Sequence, residues 1–94
     1  MAAMSVIYVI FIKNLFSTHL TLQTDTNTIL EREIFDIPYD EICIDFSNIK
    51  SISPAFVNQY LLLKSRSKKM INEVNISPDL EDLMDTAIAD LESS

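Results

Sequence analysis

The hydrophobic pattern of this 94-residue chain switches between the periods of strands and helices. Runs of β-branched, aliphatic and aromatic residues predict strands at residues 6–12, 41–46 and 71–76. Helical spacing predicts helices over residues 25–35, 54–69 and 78–91. We interpret the first run as a central strand and the last as a sheet edge, because polar residues interrupt the last one. This order predicts an α/β fold in which three to four mostly parallel strands are covered by about three helices.

Residues 19–23 leave the number of strands open. The stretch His19-Leu20-Thr21-Leu22-Gln23 alternates polar and apolar side chains, which favours a short strand. The alternative is a loop or first turn that leads into the following helix. A strand here would give the sheet a fourth member.

Two Ser-Pro pairs predict helix starts. Ser53 can cap a helix while Pro54 takes its first position, where a missing N–H costs nothing, and Ser77 and Pro78 repeat the arrangement. Phe56, in the first turn, either projects outward as an interface anchor or packs inward with Tyr60 and Leu63; the spacing favours the core. The last helix has an apolar stripe at helical spacing, formed by Leu80, Leu83, Met84, Ala87, Ile88 and Leu91.

Composition narrows the range of functions. The length fits a single domain over residues 1–94, with residues 1–5 frayed. The chain contains no glycine, which excludes phosphate-binding glycine loops and leaves residues such as Asn48 to make the turns. A net charge of −7 argues against nucleic acid as a partner. The single cysteine fits a cytoplasmic location, and the first apolar run is far shorter than the roughly 20 residues of a membrane span.

No group of residues predicts catalysis, a metal site or a cofactor. Asp45 ends a strand as a phospho-accepting aspartate does, but Lys13 and Asn14 replace the acidic pair that would hold Mg²⁺, so we expect Asp45 to brace the following loop. His19 lacks a nucleophile and an orienting acid at an assignable spacing. Cys43 lies in an apolar strand, where we expect it to serve packing. We therefore expect a protein that is not an enzyme.

The centre of the chain resembles the STAS domain family, and more closely its small STAS-like branch. The resemblance rests on the strand at 42–46, the loop Ser47-Asn48-Ile49-Lys50-Ser51-Ile52 and the helix opening at 53–58. These are about eighteen residues, within a wider resemblance that runs from about Val6 to Leu91. In anti-sigma factor antagonists of this family, the loop and helix start bind a kinase-like partner, which phosphorylates a serine there.

The resemblance implies a regulatory module that binds a protein partner, such as a histidine-kinase-like ATPase, through residues 45–58. The expected contacts are Asn48, Lys50, Ser51, Ser53 and Asn58. Ala55 stands at the usual phosphoacceptor position and has no hydroxyl, which leaves Ser53 as the phosphorylation candidate. The alternative is a structural module that forms a homodimer through a sheet edge or through its amphipathic C-terminal helix.

Overall fold

The computed structural model describes residues 6–93, with side chains described for residues 6–90. Five strands are present: β1 (Ile7–Phe11), β2 (His19–Leu20), β3 (Glu41–Asp45), β4 (Ser51–Ile52) and β5 (Met70–Val74). The α-helices are α1 (Ile12–Leu15), α2 (Thr26–Leu30), α3 (Pro54–Arg66) and α4 (Pro78–Ser93). A π-helical segment, Glu31–Phe35, continues α2 directly. The predicted α/β class is confirmed, whereas the expected fraying of residues 1–5 lies outside the described residues.

The main sheet contains three parallel strands in the order β1-β3-β5. Its register aligns Ile7 with Glu41 and Met70 at one end, and Phe11 with Asp45 and Val74 at the other. The sheet edge predicted for the third run is confirmed, because β5 is an outer strand. The interpretation of the first run as a central strand is wrong: β3 is central, and β1 lies at the opposite edge.

The helices pack on one face of this sheet. Both crossovers, from β1 to β3 and from β3 to β5, step in the same direction, and right-handed connections then place their helices on the same side. Ile42 and Ile44 of β3 are fully buried on that side. The opposite face is open to solvent. Its side chains are those of the alternate strand positions, among them Ile7, Val9, Phe11, Cys43, Met70 and Val74.

One hydrophobic core lies between the sheet and the helices. Phe56 is fully buried there and meets Phe16 edge to face, with ring centroids 5.2 Å apart, so the core placement of Phe56 is confirmed. Full burial of an aromatic side chain contributes about 1.5–3 kcal/mol. Leu80, Met84 and Ala87 of α4 are also buried. The side chain of Leu91, predicted for the same stripe, lies outside the described residues.

Three short elements differ from the prediction. β1 stops at Phe11, and Ile12 begins the single turn of α1. The strand predicted at 19–23 covers only His19–Leu20, and it pairs with β4 in a separate two-stranded parallel sheet. Residues 51–52 are therefore a strand and not part of a loop, and the main sheet has no fourth member among the described residues. Each strand of this second sheet has two residues, which is too short for a period-2 pattern to reveal.

The third helix ends before its predicted last residue. α3 stops at Arg66 because Ser67 adopts an extended backbone conformation. Lys69 lies beyond the end of the helix, and its Nζ donates to the carbonyl oxygens of Ile37 and Tyr39, both at 2.6 Å. Two charge-assisted hydrogen bonds therefore hold the connection before β3 in place of a further helical turn. Within the part of the chain that the structure describes, no helix is both long enough and apolar enough to cross a membrane.

Candidate functional site

The candidate site is the strand–loop–helix segment of residues 45–58, at the carboxyl end of β3. β2 follows β1, and β4 follows β3, so the small sheet lies beyond the same carboxyl edge. Open α/β sheets bind their ligands at this edge, because the loops that leave the strands converge there. The position of the segment is that of a functional surface.

Asp45 holds the start of the loop. Its Oδ1 accepts a hydrogen bond from the backbone N–H of Ser47 at 2.8 Å and a second from the Ser47 hydroxyl. The side-chain amide of Asn75 donates to the same oxygen at 3.1 Å and connects the end of β3 to the residue after β5. The Ser47 and Asn75 hydrogen bonds lower the pKa of the Asp45 carboxyl below its usual value of 3.8. The carboxylate is therefore placed to brace the loop in its ionised form.

The turn of the loop separates one exposed residue from one buried residue. Asn48 is exposed and has a φ of +64°, a conformation that asparagine adopts more readily than most residues. The next residue, Ile49, is buried, and its N–H donates to the Phe46 carbonyl at 3.2 Å. Asn48 is thus presented to solvent while Ile49 anchors the turn to the core.

Backbone hydrogen bonds join the second half of the loop to β2. The Thr18 carbonyl accepts from the N–H of Lys50 at 2.7 Å and of Ser51 at 3.3 Å. His19 Nδ1 lies 2.7 Å from Ser51 Oγ. The side chains of Lys50 and Ser51 are exposed. Their backbone is therefore held beside the small sheet, and both side chains reach solvent, although the Ser51 hydroxyl is also paired with His19.

The predicted cap at the start of α3 is confirmed. Ser53 Oγ accepts from the Phe56 N–H at 3.1 Å, and Pro54 occupies the first turn. Ala55, at the position that corresponds to the phosphoacceptor, is exposed. Asn58 is exposed one turn into the helix, and no hydrogen bond among the described residues joins its side chain to the loop. Asn48, Lys50, Ser51 and Ser53 therefore form a continuous segment, which Asn58 extends along α3.

Three residues of the site were not predicted: Thr18, His19 and Asn75. Thr18 acts through its carbonyl, which leaves no signal in the sequence. Asn75 has a φ of +57° and ends β5. In a chain without glycine, an asparagine between a strand and a Ser-Pro pair is a detectable turn signal. His19 is brought to Ser51 by the pairing of β2 with β4, which depends on the tertiary structure.

The His19–Ser51 pair does not form a catalytic triad within the described structure. The pair is exposed, and no carboxylate among the described residues hydrogen-bonds to the imidazole to orient it. A cleft of about 280 Å³ borders His19, with Leu15, Phe16 and Ile29 among its apolar lining residues. Polar side chains, among them Thr21 and Asp25, complete the lining, and a cleft of this mixed kind can receive a side chain of a binding partner.

A second polar cluster lies beneath α3. The Tyr60 hydroxyl donates to Glu73 Oε2, and Lys64 Nζ donates to the same oxygen at 2.7 Å. Burial of the phenol raises the pKa of Tyr60 well above 10.0, and the neighbouring Glu73 charge adds to the effect. These contacts attach α3 to β5 and so fix the helix whose first turn belongs to the site.

Comparison with protein-family models, with curated proteins and with solved structures gave no match.

Proposed function

We propose that this chain is a non-catalytic regulatory module that binds a protein partner through residues 45–58. The observation that carries the proposal is a loop held at three points along its length while its polar side chains face solvent. Asp45 holds the first point, the Thr18 carbonyl the second and the Ser53 cap the third. A surface that is already ordered loses little conformational entropy when it binds.

The composition of the segment suits a protein partner. Asn48, Lys50, Ser51 and Asn58 are exposed donors and acceptors without a cluster of like charge. The cleft that His19 lines lies next to Ser51, because Ser51 pairs with that histidine, and it can receive a side chain of the partner. Interfaces of this kind combine a few buried anchors with a polar rim that determines orientation.

The finer parts of the proposal rest on the resemblance to STAS-like domains. A kinase-like or sensor protein is the proposed partner, with Ser53 as the phosphorylation candidate and the cytoplasm as the location. A phosphate on Ser53 would lie at the N-terminus of α3, where the helix dipole favours negative charge. It would also compete with the hydrogen bond by which Ser53 caps the helix.

The test is capture of a partner by matched variants. Purified wild type, Lys50→Glu/Ser51→Arg and the control Ser65→Arg/Lys68→Glu are immobilised and exposed to host lysate, and retained proteins are identified by mass spectrometry. The control makes the same two residue exchanges at exposed positions near the far end of α3. A retained protein is then purified, and its Kd for each bait is measured by calorimetry.

We expect wild type and control to bind the same protein, and the loop variant to raise its Kd at least about tenfold, a loss of ~1.4 kcal/mol. Both loop substitutions are at exposed positions and leave the backbone hydrogen bonds intact, while Ser51→Arg removes the exposed Ser51–His19 hydrogen bond, so thermal unfolding of all three baits checks that each is folded. Equal affinity of the loop variant and the control would refute residues 45–58 as the binding surface.

A further inference from the structure

The outer edge of β1 is exposed and apolar. On the open face of the sheet, Ile7, Val9 and Phe11 are 52%, 52% and 46% exposed. The strand contains no charged residue and no proline, which are the usual devices that keep an edge from pairing. The opposite edge strand, β5, does carry polar residues, Asn72 and Glu73.

The backbone of β1 is also unpaired along its outer edge in the part of the chain that the structure describes. The strand pairs with β3 on one side only, so among the described residues its outward N–H and carbonyl groups have no strand partner. An unpaired five-residue edge of this kind is a template for another strand. Apolar side chains and free backbone groups therefore coincide on one element.

We propose that β1 pairs antiparallel with β1 of a second copy and joins two three-stranded sheets into one. A two-fold axis perpendicular to the sheet relates the copies and keeps both open faces on the same side. Each open-face residue of one copy then lies opposite an open-face residue of the other copy. Centred on Val9, the pairing places Val9 opposite Val9 and Ile7 opposite Phe11, so all cross-strand pairs on the open face are apolar.

Charge favours edge pairing over stacking of the two open faces. Stacking would bury Glu41 and Asp45, which occupy the open face of β3, against the same residues of the second copy. Edge pairing leaves both carboxylates in water. Among the described side chains of the C-terminal helix the exposed apolar surface is smaller, because Leu80, Met84 and Ala87 are buried within the chain and Ile88 is 39% exposed.

The available area makes this a concentration-dependent dimer. The exposed parts of Ile7, Tyr8, Val9 and Phe11 total at most on the order of 400 Å² per copy, at roughly 200 Å² for a whole side chain, and edge pairing covers only a part of this because the open faces stay in water. A standard interface buries about 800 Å² per partner. Each copy also carries a net charge of −7. Added salt should therefore strengthen the dimer, because it screens the repulsion between the copies.

The first test is sedimentation equilibrium of the full chain over about 1 to 500 µM, at low and high salt. Wild type should dimerise with a Kd in this range, and Val9→Lys should stay monomeric with an unchanged circular dichroism spectrum. The control, Val74→Lys, makes the same exchange on the same face but at the other edge, and it should dimerise as wild type does. A monomeric wild type, a dimeric Val9→Lys, or equal loss in both variants would overturn the proposal.

The second test examines the register. Directly opposed residues of an antiparallel pair have Cα atoms about 4.5–5.5 Å apart, which a disulfide can span. Val9→Cys in a Cys43→Ala background should therefore form a covalent dimer on mild oxidation. Cys43 is removed because it lies beside Val9 in the register and would compete within the chain. Equal cross-linking of Val74→Cys in the same background would refute the β1 register.

This interface is separate from residues 45–58. The Lys50→Glu/Ser51→Arg variant should dimerise normally, so failure of either proposal leaves the other testable.

Discussion

Replacement of Ser53 by alanine should weaken the start of α3 without unfolding it. The change removes the oxygen that accepts the Phe56 N–H at 3.1 Å, and loss of such a cap costs about 1 kcal/mol, within a range of roughly 0.5–2. The cost should stay local, because the first turn is also held by the fully buried side chains of Phe56 and Val57. In a domain of this size, ~1 kcal/mol lowers the melting temperature by about 4–8 °C.

The assay is thermal and urea unfolding, followed by circular dichroism, of Ser53→Ala, Ser53→Asp and Ser53→Gly. Aspartate keeps an acceptor and should remain near wild type, and glycine should lose only a few tenths of a kcal/mol. Ser77→Ala is the matched comparison at α4. The Ser77 oxygen lies 3.4 Å from the Leu80 N–H, a longer bond whose removal should cost less.

Two results would refute this reasoning about the cap. One is a Ser53→Ala protein as stable as wild type, and the other is a Ser53→Asp protein as unstable as Ser53→Ala. The same variants also distinguish the capping role of Ser53 from a direct contact between Ser53 and the partner. A Ser53→Asp protein that is fully stable but does not bind the partner would make Ser53 a contact as well as a cap.

Two further predictions follow from ionisable groups. The folded pKa of Asp45 is lowered, so its carboxylate contributes stability above its unfolded value of 3.8, and this contribution is lost as pH falls through the folded value. Asp45→Asn should therefore make the free energy of unfolding fall less steeply as the pH is lowered, measured as urea midpoints from about pH 7 to pH 2. A pH dependence identical to that of wild type would contradict the loop-bracing role. The raised pKa of Tyr60 contributes stability that is present below 10.0 and is lost as pH rises toward the folded value. Tyr60→Phe should remove a late phenol ionisation in the near-ultraviolet titration and cost about 1.5–3 kcal/mol at neutral pH, because the hydroxyl bonds a charged carboxylate. A titration identical to wild type would exclude Tyr60 as the late phenol.

Local signals predicted the elements that build the centre of the molecule. The alternation of Ile42, Ile44 and Phe46 identified β3, and its buried face is the one observed. Ser53 and Pro54 identified the first turn of α3 correctly, because a cap involves only residues three apart. The loop was located by the same two boundaries. Its attachment to Thr18, His19 and Asn75 was not predicted, because those residues lie about 30 positions away in the chain.

The sequence by itself determined the three strands of the main sheet and the long helices α3 and α4, and that strands and helices alternate in an α/β order, but it did not reveal α1 or β4. Tertiary structure decided which strand lies in the centre. The runs at β1 and β3 are both apolar, yet β3 gained neighbours on both sides, whereas β1 kept a free edge and an exposed face. Tertiary structure also paired β2 with β4. Periodicity reports which face of a segment avoids water, but strand order depends on contacts between distant segments, which no local pattern contains.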